Sequence, residues 1–341
     1  MQTNGLKKSS LPGNAQFMEV VKPLLPAFGV LEEFLASQVS AFEPEVQPLV
    51  EYCFGHSGKK LRPILVFSLA LDDGQELTEP LIKAAAIVEL VHLATLVHDD
   101  ILDGADVRHR TETVVSKYGA HVAVLLGDAL FAHALHLAAQ YPDVEVCRTV
   151  SLATRQVCSG EIAQTFSRGQ GVPSLEAYYR MIDLKTAELF NVSAYLGAYL
   201  TGLPAESCQA ARDYARHLGI AYQIYDDAAD IFAAESTAGK TLGTDLGTGK
   251  YTLPVLLWLK ELPEADKENI LEELEKGPDC SIDVRQALED ANILEKAGQE
   301  FYNQIDQSIA SIKSIPGESR QQQLRILADF VKLAWNKFNI R

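Results

Sequence analysis

Apolar positions along the chain recur at intervals of three and four, and strand-like alternation is nearly absent. Between residues 81 and 103 the stripe runs Leu81, Ala84, Ala85, Val88, Val91, His92, Thr95 and Asp99, the period of one helix face. Residues 114–140 and 208–234 follow the same rule with no interrupting proline, so each reads as helix throughout. Prolines gather instead at Pro63, Pro80, Pro142, Pro173, Pro204, Pro254, Pro263, Pro278 and Pro316, where helices would begin or end. The pattern predicts an all-α fold. A mobile polar tail over 1–16 precedes a single domain over 17–341, a bundle of ten or more helices. No Ser/Pro/Gly linker marks a second domain.

Composition narrows the picture. With 341 residues, 47% of them hydrophobic, the chain can bury a sizeable core. A net charge of -16 argues against nucleic acid as a general partner, which needs a basic surface. The five cysteines (Cys53, Cys147, Cys158, Cys208, Cys280) are scattered and never form C-x-x-C, the usage of reduced thiols in a cytoplasmic protein. The N-terminus lacks the apolar core of a signal peptide. No uncharged apolar run approaches the roughly 18 residues of a membrane span, so no transmembrane segment is expected.

Two acidic clusters carry candidate chemistry. Asp99, Asp100 and Asp103 close one apolar helical run, and Asp226, Asp227 and Asp230 repeat the spacing 127 residues later. Residues four apart share a helix face, so Asp99 and Asp103 point the same way. Like charges this close destabilise a bare helix and suit a hard cation, and Mg²⁺ takes one or two carboxylates plus substrate phosphates. A single cluster could equally be a solvated helix end. An EF-hand loop is excluded, because Ile101 and Arg110 stand where calcium ligands belong.

Cations flank the clusters. Gly58-Lys59-Lys60-Leu61-Arg62-Pro63 sets three beside a glycine, Arg108, His109 and Arg110 follow the first cluster, and Lys240 and Lys250 follow the second. Arg and Lys are the usual diphosphate partners. The segment from Gly239 to Lys250 holds four glycines and two lysines and reads as either a surface loop or a cationic lid. It is not a P-loop, since G-x-x-x-x-G-K-[ST] is absent.

From about Pro44 to about Leu257 these residues resemble the trans-polyprenyl diphosphate synthases, the type I isoprenoid synthases. The shared motifs are residues 58–63, His98-Asp99-Asp100-Ile101-Leu102-Asp103, Gly127-Asp128, Lys185-Thr186-Ala187, Tyr222-Gln223 with Asp226-Asp227, and the segment from Gly239 to Pro254. The resemblance implies a helical bundle with a central cavity, the acidic clusters on opposite walls, and a homodimer. It implies Mg²⁺, about three ions per site, and head-to-tail joining of an allylic diphosphate to isopentenyl diphosphate. Asp99, Asp103, Asp226 and Asp230 take the place of metal ligands, and Asp100 and Asp227 support them. Arg108, Lys185, Thr186, Gln223, Lys240 and Lys250 resemble allylic diphosphate contacts. Lys59, Arg62 and His92 resemble the isopentenyl diphosphate site. The chain departs from the family at His109, where a second arginine is usual, so His109 or Arg110 would serve there.

Chain length follows from the residues before the first cluster. Ala94 and Thr95 are small and Val91 is of medium size, where short-chain enzymes carry aromatics. Products of C20 or longer are expected, with Phe131, Leu135 and His136 as candidate cavity floors. A farnesyl or geranylgeranyl synthase is the alternative. A non-catalytic subunit would lack some of the six aspartates, and a terpene cyclase would lack the second cluster.

Overall fold

The structure, a computed structural model, describes residues 14–55, 58–72, 76–108, 111–168, 170–233, 244–276 and 280–339. Helix α1 (Asn14–Val21) opens inside the segment expected as a tail, and α2 (Leu25–Gln38), α3 (Gln47–Gly55), α4 (Leu61–Ala70) and α5 (Glu79–Leu102) follow. A two-stranded hairpin, β1 (Val107–Arg108) and β2 (Thr111–Glu112), pairs Arg108 with Thr111. Then come α6 (Val114–Tyr118), α7 (Ala120–Ala139), α8 (Val144–Ser167), α9 (Leu175–Ile182), α10 (Glu188–Leu200) and α11 (Ala205–Phe232). The last elements are α12 (Thr244–Gly247), α13 (Leu253–Glu261), α14 (Glu264–Leu274), α15 (Val284–Asp290), α16 (Ile293–Ser311) and α17 (Glu318–Trp335). The all-α class and the count of more than ten helices are as expected.

Local chemistry sets the boundaries. Proline occupies the first turns of α2, α5 and α13, where its missing N–H costs nothing. Side chains cap α6 (Thr113), α8 (Asp143), α9 (Ser174) and α15 (Asp283), each accepting an otherwise orphaned backbone N–H. One expectation is corrected. Residues 114–140 form two helices rather than one, because Gly119 sits at φ 85°, ψ 161° and breaks the ladder between α6 and α7.

Helix α5 is the spine. Its residues from Leu81 to Val97 are mostly buried, and it packs against α7, α4, α10 and α2. Helix α11 lies beside α10 and α16 in the same core. Helices α5 and α7 are long and apolar enough to cross a membrane by length and composition, contrary to the reading of uncharged runs alone. In α5 that apolarity serves the core, with 72% of the window buried inside the bundle; in α7 only 39% is buried. The acidic clusters sit at the C-terminal ends of α5 and α11. A helix C-terminus carries partial negative charge and disfavours carboxylates, so both clusters stand where stability alone would not put them.

Candidate active site

Helix α5 leaves the side chains of Asp99 and Asp103 partly exposed, at 21% and 28%, while Asp100 turns inward and is 5% exposed. Asp100 accepts a 2.7 Å hydrogen bond from Arg108 Nε on β1. That pair lies in a pocket with Tyr52, Cys53, Leu93, Val97 and Thr113. Burial, with help from Asp100, pushes the Cys53 thiol up to about 12, so it stays protonated and inert. Arg108, expected at the allylic diphosphate, is thus tied to the first cluster.

Lys185 faces Asp99 from a single π-helical turn, Asp183–Ala187, between α9 and α10. Such turns re-aim side chains and recur at functional sites. Gly160 on α8 allows the close approach, since a Cβ there would lie 2.7 Å from the Lys185 backbone nitrogen. Lys185 Nζ lies 3.9 Å from Asp99 Oδ1, ion-pairs with Glu161 and donates to Gln164 Oε1 at 2.8 Å. Burial pushes Asp99 up to about 6; Lys185 opposes the rise, and Glu161 and Asp103 add to it. Burial would also raise Asp103, but the hydrogen bond and charge of Lys250, with Lys185 and Arg168, hold it below the usual carboxylate range.

Lys250 ties the two walls together. Its Nζ donates to Asp103 Oδ1 at 2.7 Å and lies 3.6 Å from Asp245. Arg168 from the end of α8 adds a 3.3 Å contact to the same Asp103 oxygen.

On α11, Asp226 and its neighbours divide differently. Asp227 is buried and accepts from Tyr178 Oη at 2.5 Å and from Gln223 Nε2 at 2.8 Å. Thr186 in turn donates to Gln223 Oε1 at 2.7 Å, so Thr186, Gln223 and Asp227 form one relay behind the cluster. Burial and then Asp245 push Asp227 up to about 7. Asp230 is 2% exposed and accepts the Asp245 N–H at 3.3 Å.

Lys59 and Arg62 feel the charge of the two acidic clusters, Lys59 that of Asp226 and Arg62 that of Asp99. Burial pulls Lys59 down to about 8 against the attraction of Asp226. Arg62 has its Cζ 5.0 Å from the Phe190 ring centroid and is stabilised by the charges of Glu89, Tyr222 and Asp99. His92 follows Glu89 by one turn of α5 and is half-buried.

Along α5, Val91 and Ala94 are fully buried and Thr95 is half-buried, its hydroxyl bonded to the His92 carbonyl. Of the candidate floors on α7, Phe131 packs against His98 and Leu135 against the core, whereas His136 is exposed and pairs with Gln140. His109, Arg110 and Lys240 lie outside the described residues, as do residues 239–243 of the expected lid.

Four residues of the site were not found by sequence reading. Glu161, Gln164 and Arg168 share a stripe of α8 at intervals of three and four, a signal that was available. Lys337 comes from the C-terminal turn; burial and the nearby charge of Lys59 pull it down to about 8.

The arrangement has the chemistry of a metal-diphosphate site. Among the described residues no three His, Cys, Asp or Glu side chains converge to hold a metal ion by themselves. Asp99, Glu161 and Asp103 nevertheless all act on Lys185, which serves them as a common counter-charge. That donor set suits a hard divalent cation that completes its shell with phosphate oxygens.

Comparison with known proteins identifies the family. The polyprenyl synthetase family model matches residues 43–291. A prenyl transferase of Synechocystis sp. is 36% identical over 262 residues, covering 76% of this chain and 80% of its own. The crystal structure of a decaprenyl diphosphate synthase from Rhodobacter capsulatus superposes with a TM-score of 0.84 at 27% identity, over 92% of this chain and 98% of that one. A polyprenyl synthase from Caulobacter crescentus, crystallised with calcium and isoprenyl diphosphate, also reaches 0.84 at 28% identity, over 95% and 98%. The chain therefore belongs to the polyprenyl synthetase family and is a prenyltransferase that elongates polyprenyl diphosphates.

Proposed function

We propose that the protein is a Mg²⁺-dependent, all-trans polyprenyl diphosphate synthase that condenses an allylic diphosphate with isopentenyl diphosphate to C20 or longer. The observation that carries this reading is the chain of contacts from the acidic end of α5 to that of α11, from Asp103 through Lys250 and Asp245 to Asp230, with Lys185 beside Asp99 and the half-buried cations Lys59 and Arg62 under the charge of Asp226 and Asp99.

Asp99, Asp103 and Asp226 would hold the metal, with Asp230 beside them. Bound Mg²⁺ supplies the Lewis-acid pull that lets the allylic diphosphate leave. Lys185, Arg168 and Lys250 surround that diphosphate and stabilise the charge it gains as the C–O bond breaks. Lys59 and Arg62 hold isopentenyl diphosphate so that its double bond faces the allylic carbon, which is catalysis by positioning. The departing diphosphate takes the proton lost after bond formation. Thr186 and Gln223 stiffen this wall through Asp227. Core packing on α5 keeps water from the cation.

Small residues at Ala94 and Thr95 favour passage of a growing tail along α5, and Phe131 and Leu135 are the candidate floors. A homodimer would cover the apolar side chains left exposed on the packed pair α7 and α8: Val124, Leu125, Leu152, Ile162 and Phe166. Labelled isopentenyl diphosphate and farnesyl diphosphate test the reading. Incorporation into acid-labile, solvent-extractable prenyl product should require Mg²⁺ and vanish with EDTA; label transfer that survives chelation contradicts it.

A further inference from the structure

Glu89 stands in the middle of α5, on a stretch that is otherwise almost wholly apolar, and its side chain is 1% exposed. A carboxylate in such a place is costly unless a partner compensates it. Among the described residues its Oε2 accepts no hydrogen bond. Burial pushes its carboxyl upward, and Lys60 and Arg62 are the charges that oppose the rise. Lys60 is already engaged by Glu32 at 3.2 Å. Arg62 remains, and its Nε likewise donates to nothing among the described residues.

Glu89 is buried and Arg62 half-buried; the two are opposite in charge and mutually stabilising, yet each keeps a buried polar atom unused among the described residues. A purely structural ion pair closes into direct hydrogen bonds, because only close contact offsets the loss of water. This one stays open. Burial pulls Arg62 down to about 10, and Glu89 is the foremost charge sustaining it, ahead of Tyr222 and Asp99. Phe190 supports the guanidinium from α10. Arg62 is thus set between α5, α10 and α11 with a donor to spare.

We propose that Glu89 is a positioning residue of the subsite for the homoallylic diphosphate: its carboxylate balances Arg62 from a distance and keeps that guanidinium aimed at the incoming diphosphate. This rests on Arg62 serving isopentenyl diphosphate, as argued above. Lost charge at Glu89 leaves the half-buried Arg62 without its foremost counter-charge, and the guanidinium swings out of line toward solvent or Asp99.

The test measures isopentenyl diphosphate binding by calorimetry without allylic substrate, alongside steady-state kinetics, for wild type, Glu89→Gln and Glu89→Met. The methionine variant fills the same space without charge and protects the test against a misfolded amide variant. Both variants should weaken isopentenyl diphosphate binding about ten-fold and raise its KM likewise, with kcat and the KM for farnesyl diphosphate within two-fold. Arg62→Gln combined with Glu89→Gln should bind no more weakly than Arg62→Gln alone. Unchanged or tighter binding, or equal loss for both substrates, overturns the assignment. Wild type that binds isopentenyl diphosphate but transfers nothing overturns the proposed function and leaves the Glu89 comparison standing; wild type that does not bind it overturns both.

Discussion

Lys185→Ala removes the cation between Asp99 and Glu161. At the 3.9 Å separation from Asp99, two unit charges in a partly screened medium interact by about 4 kcal/mol. Both side chains are about four-fifths buried, so little of this is lost to solvent. Part is cancelled by the desolvation that both groups already suffer, and breaking a buried pair by deleting one member costs about 3 kcal/mol. In a chain of this size that lowers the melting temperature by roughly 5 °C. The acidic site then lacks its built-in counter-charge, so a divalent cation binds it better. Differential scanning fluorimetry with and without roughly 10 mM Mg²⁺, in the absence of substrate, reads this directly. Mg²⁺ should recover most of the lost stability in Lys185→Ala and do little for the wild type. Turnover should fall by roughly 10²–10³-fold, the usual loss when one preorganised donor to a developing anion is removed. An equal Mg²⁺ shift in both proteins would refute the reasoning, because Lys185 would then not be the group that balances the cluster.

Three further outcomes follow from the same geometry. Thr95→Tyr should shorten the product without disturbing the fold, since Thr95 is half-buried; Ala94→Phe should shorten it too, at about 1–3 kcal/mol of overpacking, and thin-layer sizing with unaltered length in both would place the groove elsewhere. Lys59 is held near 8, and its charged form binds diphosphate, so the KM for isopentenyl diphosphate should rise as pH passes from 7 to 9; Lys59→Arg should flatten that profile. Leu125→Glu should yield monomer by sedimentation, because Leu125 is 69% exposed on the apolar face of α7; an unchanged sedimentation coefficient removes that face as the dimer contact.

Much of this architecture was legible because its cause is local. The stripe from Leu81 to Asp99 located α5 within two residues at its start, and prolines such as Pro80, Pro204 and Pro254 fell at or next to helix starts. The break at Gly119 was missed because periodicity carries across a glycine that the backbone does not. The π-turn at Asp183–Ala187 left no composition signal; it depends on α8 coming close at Gly160. The spacing of Glu161, Gln164 and Arg168 puts them on one face of α8, but which partners that face meets, Lys185 and Asp103, depends on how α8 packs. Glu89 was overlooked for the opposite reason: one acid inside an apolar stripe looks like an exposed position until burial is seen. The split of each acidic cluster into outward and inward members, Asp99 against Asp100 and Asp226 against Asp227, depends on tertiary partners such as Arg108 and Tyr178.

The most direct test of the central claim is the length distribution of the product. The protein is incubated with farnesyl diphosphate, labelled isopentenyl diphosphate and Mg²⁺, the products are dephosphorylated, and the alcohols are sized by reversed-phase chromatography. The open run past Ala94 and Thr95 predicts all-trans alcohols of C20 and longer in five-carbon steps. Absence of label in prenyl alcohols, or no extension of the farnesyl primer, would contradict it.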